Sequence, residues 1–216
     1  SGEYPQPLTP WEHFGYDITG IGDKSWPCRW IETEPLLGKS ELLKETQNWE
    51  VRRDGFGAAL KHWKQRSGTP EHVDFDMITR GIWERDYRPH LLELDPRRVD
   101  IVGARQSLAK ANKAEIWTDF INLFIWELMR KSLGDLIMYE SLRLDPEWLH
   151  DFNRVYTNFF KLHFAYLFEQ AGLPDGIWLA DDIGYNRGLF AAPRIMAELF
   201  LPYYKEMVDF CHDYGL

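Results

Sequence analysis

The stretch GIWLADDIGYNRGLF, residues 176–190, decides how the chain is read. Ile177 to Ala180 form an apolar run that reads as a buried strand over 175–180, and two carboxylates, Asp181 and Asp182, follow it directly. Desolvating an ionised carboxylate is costly unless it is paired, hydrogen-bonded or wet, so a carboxylate pair at a strand exit is more than surface decoration. In sheets built from βα units, ligands bind at the C-terminal ends of the parallel strands. Neighbouring residues point to opposite faces, so one of the two aspartates should aim into the site and the other toward helix or loop. The bland alternative has Asp182 capping the following loop and Asp181 pairing with Arg187 or Arg194. Gly184, Tyr185, Asn186, Arg187 and Gly188 then form a polar loop able to close over a ligand, although the glycines and Asn186 also suit a plain turn.

Working outward, the spacing predicts a helix over 193–214, kinked at Pro202. Asp145-Pro146 places an N-capping carboxylate before a proline suited to a first helical turn. The apolar stripe Trp148, Phe152, Val155, Phe159, Leu162 and Tyr166 carries that helix to Gly172-Leu173-Pro174. Upstream, 114–120 reads as strand and 123–132 as the helix behind it, and Asp95-Pro96 marks another helix start. Strand, helix, long helix, strand, helix is the order of parallel βα units. Further upstream the pattern changes. Trp49, Val51, Asp54-Gly55, Ala58, Leu60 and His62 read as two antiparallel strands closed by an Asp-Gly turn. A short strand over 72–77 and a helix over 79–93, with Trp83 and Tyr87 on one face, follow. Prolines and glycines between Tyr4 and Pro35 keep elements short there, with one brief helix over 10–14. The simplest organisation is one α/β domain over 3–216, in which the hairpin is an embellishment.

Composition sets outer limits. With 216 residues, 44% hydrophobic and 15% aromatic, the chain can bury a sizeable core. A net charge of -9, from 34 acidic and 25 basic residues, tilts against nucleic acid and polyanionic substrates. No apolar run of membrane-spanning length and no signal-peptide pattern occur, which makes cytoplasm the default expectation. Cys28 and Cys211 have no metal-ligand spacing and read as buried or free thiols. Trp83, Trp117 and Trp148 read as core, whereas Trp126 with Glu127, just past the strand over 114–120, could line a pocket. His13, His62, His72, His90, His150 and His163 show no legible catalytic arrangement.

The stretch LADDIGYNRGLFAAPRIMAELFLPYYKEMVDFCHDYG resembles the strand-to-helix segment of the uroporphyrinogen decarboxylase superfamily, which includes zinc- and corrinoid-linked methyltransferases. The family's F-x-x-P-Y-x-K helix is matched by Phe200, Pro202, Tyr203 and Lys205. WELMRKSLG, residues 126–134, resembles the aromatic-Glu and Leu-x-Gly helix of the methyltransferase-like branch, and LRLDPEWLHDF follows in the expected order. The resemblance spans roughly residues 14–216, with only the last segment specific. It implies a (β/α)8 TIM-barrel fold, here an incomplete barrel with an antiparallel β-hairpin insertion, since the chain supplies about half the parallel strands. Another copy or the missing half would then cover the open edges, so a homo-oligomer is expected.

The chain also departs from the decarboxylases themselves. Their N-terminal arginine motif has no counterpart, and their Phe-Ser-Asp-Ile motif has only FGYDITGIGD, where Asp17 or Asp23 stands nearest. Their strand-end serine corresponds to an aspartate, and their tyrosine falls near Arg130 or is missing. A tetrapyrrole carrying many carboxylates would meet Asp181 and Asp182 with like-charge repulsion. The resemblance therefore implies methyl transfer from a small methylated substrate to a thiol, corrinoid or pterin acceptor. Asp181 or Asp182 would orient or protonate the substrate, Asp17, Trp126, Glu127, Tyr185 and Arg187 would line the mouth, and a corrinoid protein would be a partner. In the family a His-x-Cys zinc site lies on the strand after the helix that ends here at HDYGL. No cofactor site is thus expected within this chain, and zinc or corrinoid would depend on residues beyond Leu216. Metal-free decarboxylation and a non-catalytic binding or assembly module are the rival expectations.

Overall fold

The computed structural model describes the backbone of residues 18–20 and all of residues 30–216. Asp17, Asp23, Cys28, His13 and the helix expected over 10–14 lie outside the described residues.

Segment 40–75 builds a four-stranded antiparallel sheet, ordered β2 (Ser40–Glu45), β3 (Trp49–Asp54), β4 (Ala58–Trp63) and β5 (Glu71–Phe75). The Asp-Gly turn is held from within. The Asp54 carboxylate accepts from the backbone N–H of Phe56 at 2.9 Å and of Ala58 at 3.0 Å. Gly57 takes a φ of +86°, and a Cβ there would meet the Tyr87 hydroxyl at 2.4 Å. Cross-strand pairs finish the sheet: Lys61 lies over the rings of both Trp49 and Trp63, and Arg53 pairs with Asp74 and Asp76.

The helix expected over 79–93 is three short pieces, α-helical over Arg80–Ile82, π over Trp83–Tyr87 and 3-10 over Arg88–Leu91. Trp83 and Tyr87 are both buried. The Trp83 Nε1 donates to Asp151 at 2.7 Å, and Arg88 pairs with the same carboxylate. Asp95-Pro96 starts only a 3-10 turn, Pro96–Arg98, because Val99 is extended and bridges to Ile31. The helix itself, α1 (Ile101–Lys113), starts after Asp100, whose carboxylate accepts from the Gly103 N–H. Arg98, at 3% exposure, donates to the carbonyls of Glu32, Glu34, Pro35 and His90, fastening the segment before β2 to the core.

The parallel sheet has the order β1 (Ile18–Gly20), β6 (Trp117–Leu123), β7 (Gly176–Ala180). Between β6 and β7 run α2 (Ile125–Leu144), bent at Gly134 with φ 72°, and α3 (Pro146–Ala171), capped by Asp145 through the Trp148 N–H. After β7 come a small hairpin of β8 (Gly184–Tyr185) and β9 (Gly188–Leu189), then α4 (Pro193–Leu199) and α5 (Leu201–Asp213). The single helix expected over 193–214 is two, broken at Phe200 just before Pro202.

Alternation assigns the two faces of the parallel sheet. Thr118, Phe120 and Asn122 face the helical layer, where Phe120 stacks on Phe168 of α3 at 6.4 Å and Asn122 donates to the Ile31 carbonyl. Trp117, Asp119 and Ile121 of β6, with Gly176 and Trp178 of β7, face the other way. The core lies on the helical side, with Phe152, Tyr156, Phe159, Phe160 and Phe164 of α3 wholly buried. Trp148 is core as expected, but Trp117 is 45% exposed.

The eight-fold barrel is not observed. Among the described residues only three strands are parallel, and more strands lie in the antiparallel sheet, which is a full layer rather than a hairpin insertion. The cause is connection length: parallel pairing needs a crossover of a dozen or more residues, and the links within 40–75 are far shorter. Only 21–116 and 124–175 are long enough to return a parallel strand, and they do so. No helix among the described residues is long and apolar enough to cross a membrane.

Candidate functional site

The two aspartates at the end of β7 separate as strand alternation requires. Asp181 turns toward the helical layer. Its Oδ2 accepts the Trp126 N–H at 3.1 Å and its Oδ1 the Glu127 N–H at 2.8 Å. The Tyr204 hydroxyl of α5 also donates to Oδ2. The residue before α2, Phe124, offers no side-chain cap. Asp181 therefore caps α2 from another strand, where the helix N-terminus favours negative charge. It pairs with neither Arg187 nor Arg194.

Opposing forces act on this carboxyl. Burial raises it, while Tyr204 and the two backbone N–H groups lower it, and the balance leaves it pushed up to about 7. Burial, together with the adjacent Asp181, also drives the Tyr204 hydroxyl far above the usual phenol range. Asp182 makes none of these contacts and is exposed.

The remaining expected site residues fall into two groups. Trp126 is wholly buried, packed on Phe200 at 5.0 Å and stacked on Phe190 at 6.3 Å, so it supports the site from behind rather than lining it. Glu127 contributes its backbone N–H to Asp181, while its side chain is tied to Arg130 at 2.7 Å. Tyr185 and Arg187 are exposed in the β8–β9 hairpin. That hairpin is pinned to α2: Tyr185 packs on Phe190, and Arg130 lies 5.6 Å from the centre of the Phe190 ring. Asp181, Asp182, Glu127 and Tyr185 thus gather at one edge of the sheet.

Sequence reading missed three residues. Tyr204 entered only as a variable position within the F-x-x-P-Y-x-K match, yet a tyrosine on the helix after the strand is a natural donor to a strand-end carboxylate. Arg130 entered only as the position near which the decarboxylases' tyrosine falls, and its pairing with Glu127 is signalled by nothing but their i,i+3 spacing. Asp119 sits mid-strand among apolar neighbours, at 5% exposure with no hydrogen-bond partner for Oδ1, and burial raises its carboxyl.

Cys211 and His212 are adjacent on α5, and burial pushes the Cys211 thiol up to about 11, against the thiolate that zinc requires. No group of three or more His, Cys, Asp or Glu that could hold a metal occurs among the described residues. His163 is a satisfied core histidine: its Nε2 accepts the Asp95 N–H at 3.2 Å and its Nδ1 lies 2.8 Å from the Phe159 carbonyl oxygen. A cavity of about 460 Å³ opens beside the antiparallel sheet, but its lining carries Glu34, Glu50 and Asp54 alongside Lys39, Arg52 and Lys131, so no net charge selects a ligand there. Compared with known proteins, the chain matches no family model, no curated protein and no solved structure.

Proposed function

We propose that the chain is an enzyme related to the uroporphyrinogen decarboxylase superfamily that moves a methyl group from a small methylated compound to a thiol, corrinoid or pterin acceptor. The observation that supports this reading is the Asp181 carboxyl, which stands at the C-terminal edge of a parallel sheet, beside the N-terminus of α2 and the Tyr204 hydroxyl, where burial pushes it up to about 7. A group with that property gives or takes a proton at little cost at working pH. As the methyl group leaves its heteroatom for the acceptor, that heteroatom gains an electron pair and needs a proton. Asp181 Oδ1 accepts only one hydrogen bond and has room to hold that proton. Tyr204 and the N-terminus of α2 stabilise the carboxylate left behind, and solvent restores the proton. Asp182, exposed beside it, orients the substrate together with Tyr185 and Arg187. Decarboxylation of a polycarboxylated ring fits less well, because its carboxylates would approach Asp181, Asp182 and Glu127 at one edge.

The test is methyl transfer from a panel of small methoxylated compounds to a simple thiol, to cob(I)alamin or to a tetrahydropterin, followed by NMR of the methylated acceptor and the demethylated donor. Wild-type protein should turn over, and Asp181→Asn should lose about a hundredfold or more in rate, as expected for removal of a general acid. Absence of turnover by the wild type with every acceptor, or an unimpaired Asp181→Asn, would overturn the proposal.

A further inference from the structure

The cavity of about 460 Å³ beside the antiparallel sheet carries no net charge, which disfavours a simple ion, yet charges of both signs stand within it. Glu50, Arg52 and Asp54 alternate on one face of β3 and all line the cavity. Arg52 pairs in register with Leu60 of β4, so an apolar side chain lies directly beside the charged strand, and the nearly buried Phe56 extends that apolar wall.

The opposite charges on β3 keep unused hydrogen-bonding capacity. Asp54 accepts the Phe56 and Ala58 N–H groups through Oδ1 alone, and its Oδ2 has no donor among the described residues. Arg52 donates through Nε to Glu50 at 2.8 Å, and its Nη1 reaches Ser40 Oγ only at 3.5 Å, which leaves Nη2 without an acceptor among the described residues. Burial raises the Asp54 carboxyl against its two backbone donors, so a further donor at Oδ2 has a charge to stabilise. Lys131 of α2, 5.7 Å from the centre of the Phe56 ring, and His72 act on that carboxyl only through space.

A lone cation would satisfy Asp54 and be repelled by Arg52, and a lone anion would meet Glu50 and Asp54. A wholly apolar molecule would strip water from both charged groups and return no hydrogen bond. A molecule with an ammonium, a carboxylate and an apolar part answers all three. Arg52 and Asp54 stand about 7 Å apart along β3. Hydrogen bonds of about 2.9 Å at the two ends of an α-ammonium carboxylate head span a gap of that order, whereas charges separated by several methylenes overshoot it.

We infer that this cavity binds a free α-amino acid with an apolar side chain: the carboxylate meets Arg52, the ammonium meets Asp54 Oδ2, and the side chain lies on Leu60 and Phe56. The lining shares no residue with the strand-end carboxylates, so binding here stands whether or not methyl transfer occurs there.

Isothermal titration of the whole chain with L-phenylalanine and L-leucine tests the site. The amide of whichever binds more tightly lacks the carboxylate, and its N-acetyl form lacks the ammonium; the two also stand for the two ends of a peptide. Each should bind about tenfold or more weaker than the parent amino acid, as expected for one lost charge-assisted hydrogen bond. Arg52→Gln, at a side chain 38% exposed, should weaken the parent about tenfold and leave the amide unchanged. Asp54→Asn keeps the Oδ1 acceptor of the turn, and should weaken the parent by a similar factor while leaving the N-acetyl form unchanged. If Asp54→Asn does not fold, Arg52→Gln with the two analogues decides alone. Binding of neither amino acid, or parent affinity unchanged in Arg52→Gln, would overturn the site. An analogue that binds as tightly as the parent would also overturn it, by showing a peptide terminus as the occupant.

Discussion

Replacing Asp181 by asparagine decides which of two opposed effects governs the strand-end carboxyl. Three donors converge on it, from Trp126 N–H, Glu127 N–H and the Tyr204 hydroxyl, and alone they would hold it ionised. Burial acts against them and wins, moving the carboxyl from 3.8 to about 7. In that range the folded state holds a proton that the unfolded chain releases. Stability from this group is therefore largest below the unfolded value and falls as pH rises toward the folded value. At about 1.4 kcal/mol per pH unit the whole span is at most about 4 kcal/mol, and partial solvent contact reduces it to about 2–3 kcal/mol. Asp181→Asn cannot titrate, and the other carboxylates cancel when it is compared with wild type. Urea unfolding of both proteins at about pH 5 and about pH 8 should show wild type losing roughly 2 kcal/mol relative to the variant across that interval. A difference that stays flat, or that moves in favour of wild type as pH rises, would refute the reasoning. Asp181 would then be an ordinary ionised helix cap, unable to give a proton at neutrality.

Further expectations rest on single contacts. Tyr204→Phe removes a donor that lowers the Asp181 carboxyl, so the alkaline limb of any pH-rate profile should move to higher pH while substrate affinity changes little. Gly134→Ala forces a side chain onto a φ of +72° with Phe75 Cε2 at 2.4 Å, and should cost about 2 kcal/mol or more in urea unfolding. Arg98→Met leaves the carbonyls of Glu32, Glu34, Pro35 and His90 without their donor, and should cost about 3 kcal/mol and expose the segment before β2 to protease. Trp83→Phe loses the 2.7 Å bond to Asp151 and leaves a void where the wholly buried indole stood, which predicts a loss of about 2 kcal/mol or more.

What could be read from the sequence was local. The Asp54-Gly55 turn, the Asp145 cap and the first four residues of the stripe on α3 all depend on residues within a few positions of one another, and each is present, whereas Leu162 of that stripe is exposed and the buried face continues through Phe160, Phe164 and Leu167. Elements went astray where a distant partner intervened. Val99 is held extended by its bridge to Ile31, which delays the helix expected at Asp95-Pro96 until Asp100 supplies a second cap. Within the layer over 40–75 the strand expected over 72–77 is present as β5, and the one not foreseen is β2, whose six positions are all exposed, so no alternation signals it. Trp117 falls in the middle of the strand expected over 114–120 and so reads as an apolar-face residue, yet the strand begins at Trp117 and turns it outward.

The aspartate pair shows why a site is harder to read than a fold. Sequence alone says that Asp181 and Asp182 face opposite ways; it does not say which faces what, since this depends on α2 starting beside β7. Once α2 lies there, its free N-terminal N–H groups require an acceptor, and Phe124 has none to give. Asp181 meets that requirement and is buried in doing so, and the same burial raises its proton affinity. Capping and chemistry are therefore consequences of one placement. A substitution that supplied α2 with its own cap, Phe124→Asp, would compete for the Trp126 and Glu127 N–H groups. It should raise the Asp181 carboxyl further by withdrawing two of its three donors, and the pH at which wild type and Asp181→Asn diverge in the Phe124→Asp background would move upward with it.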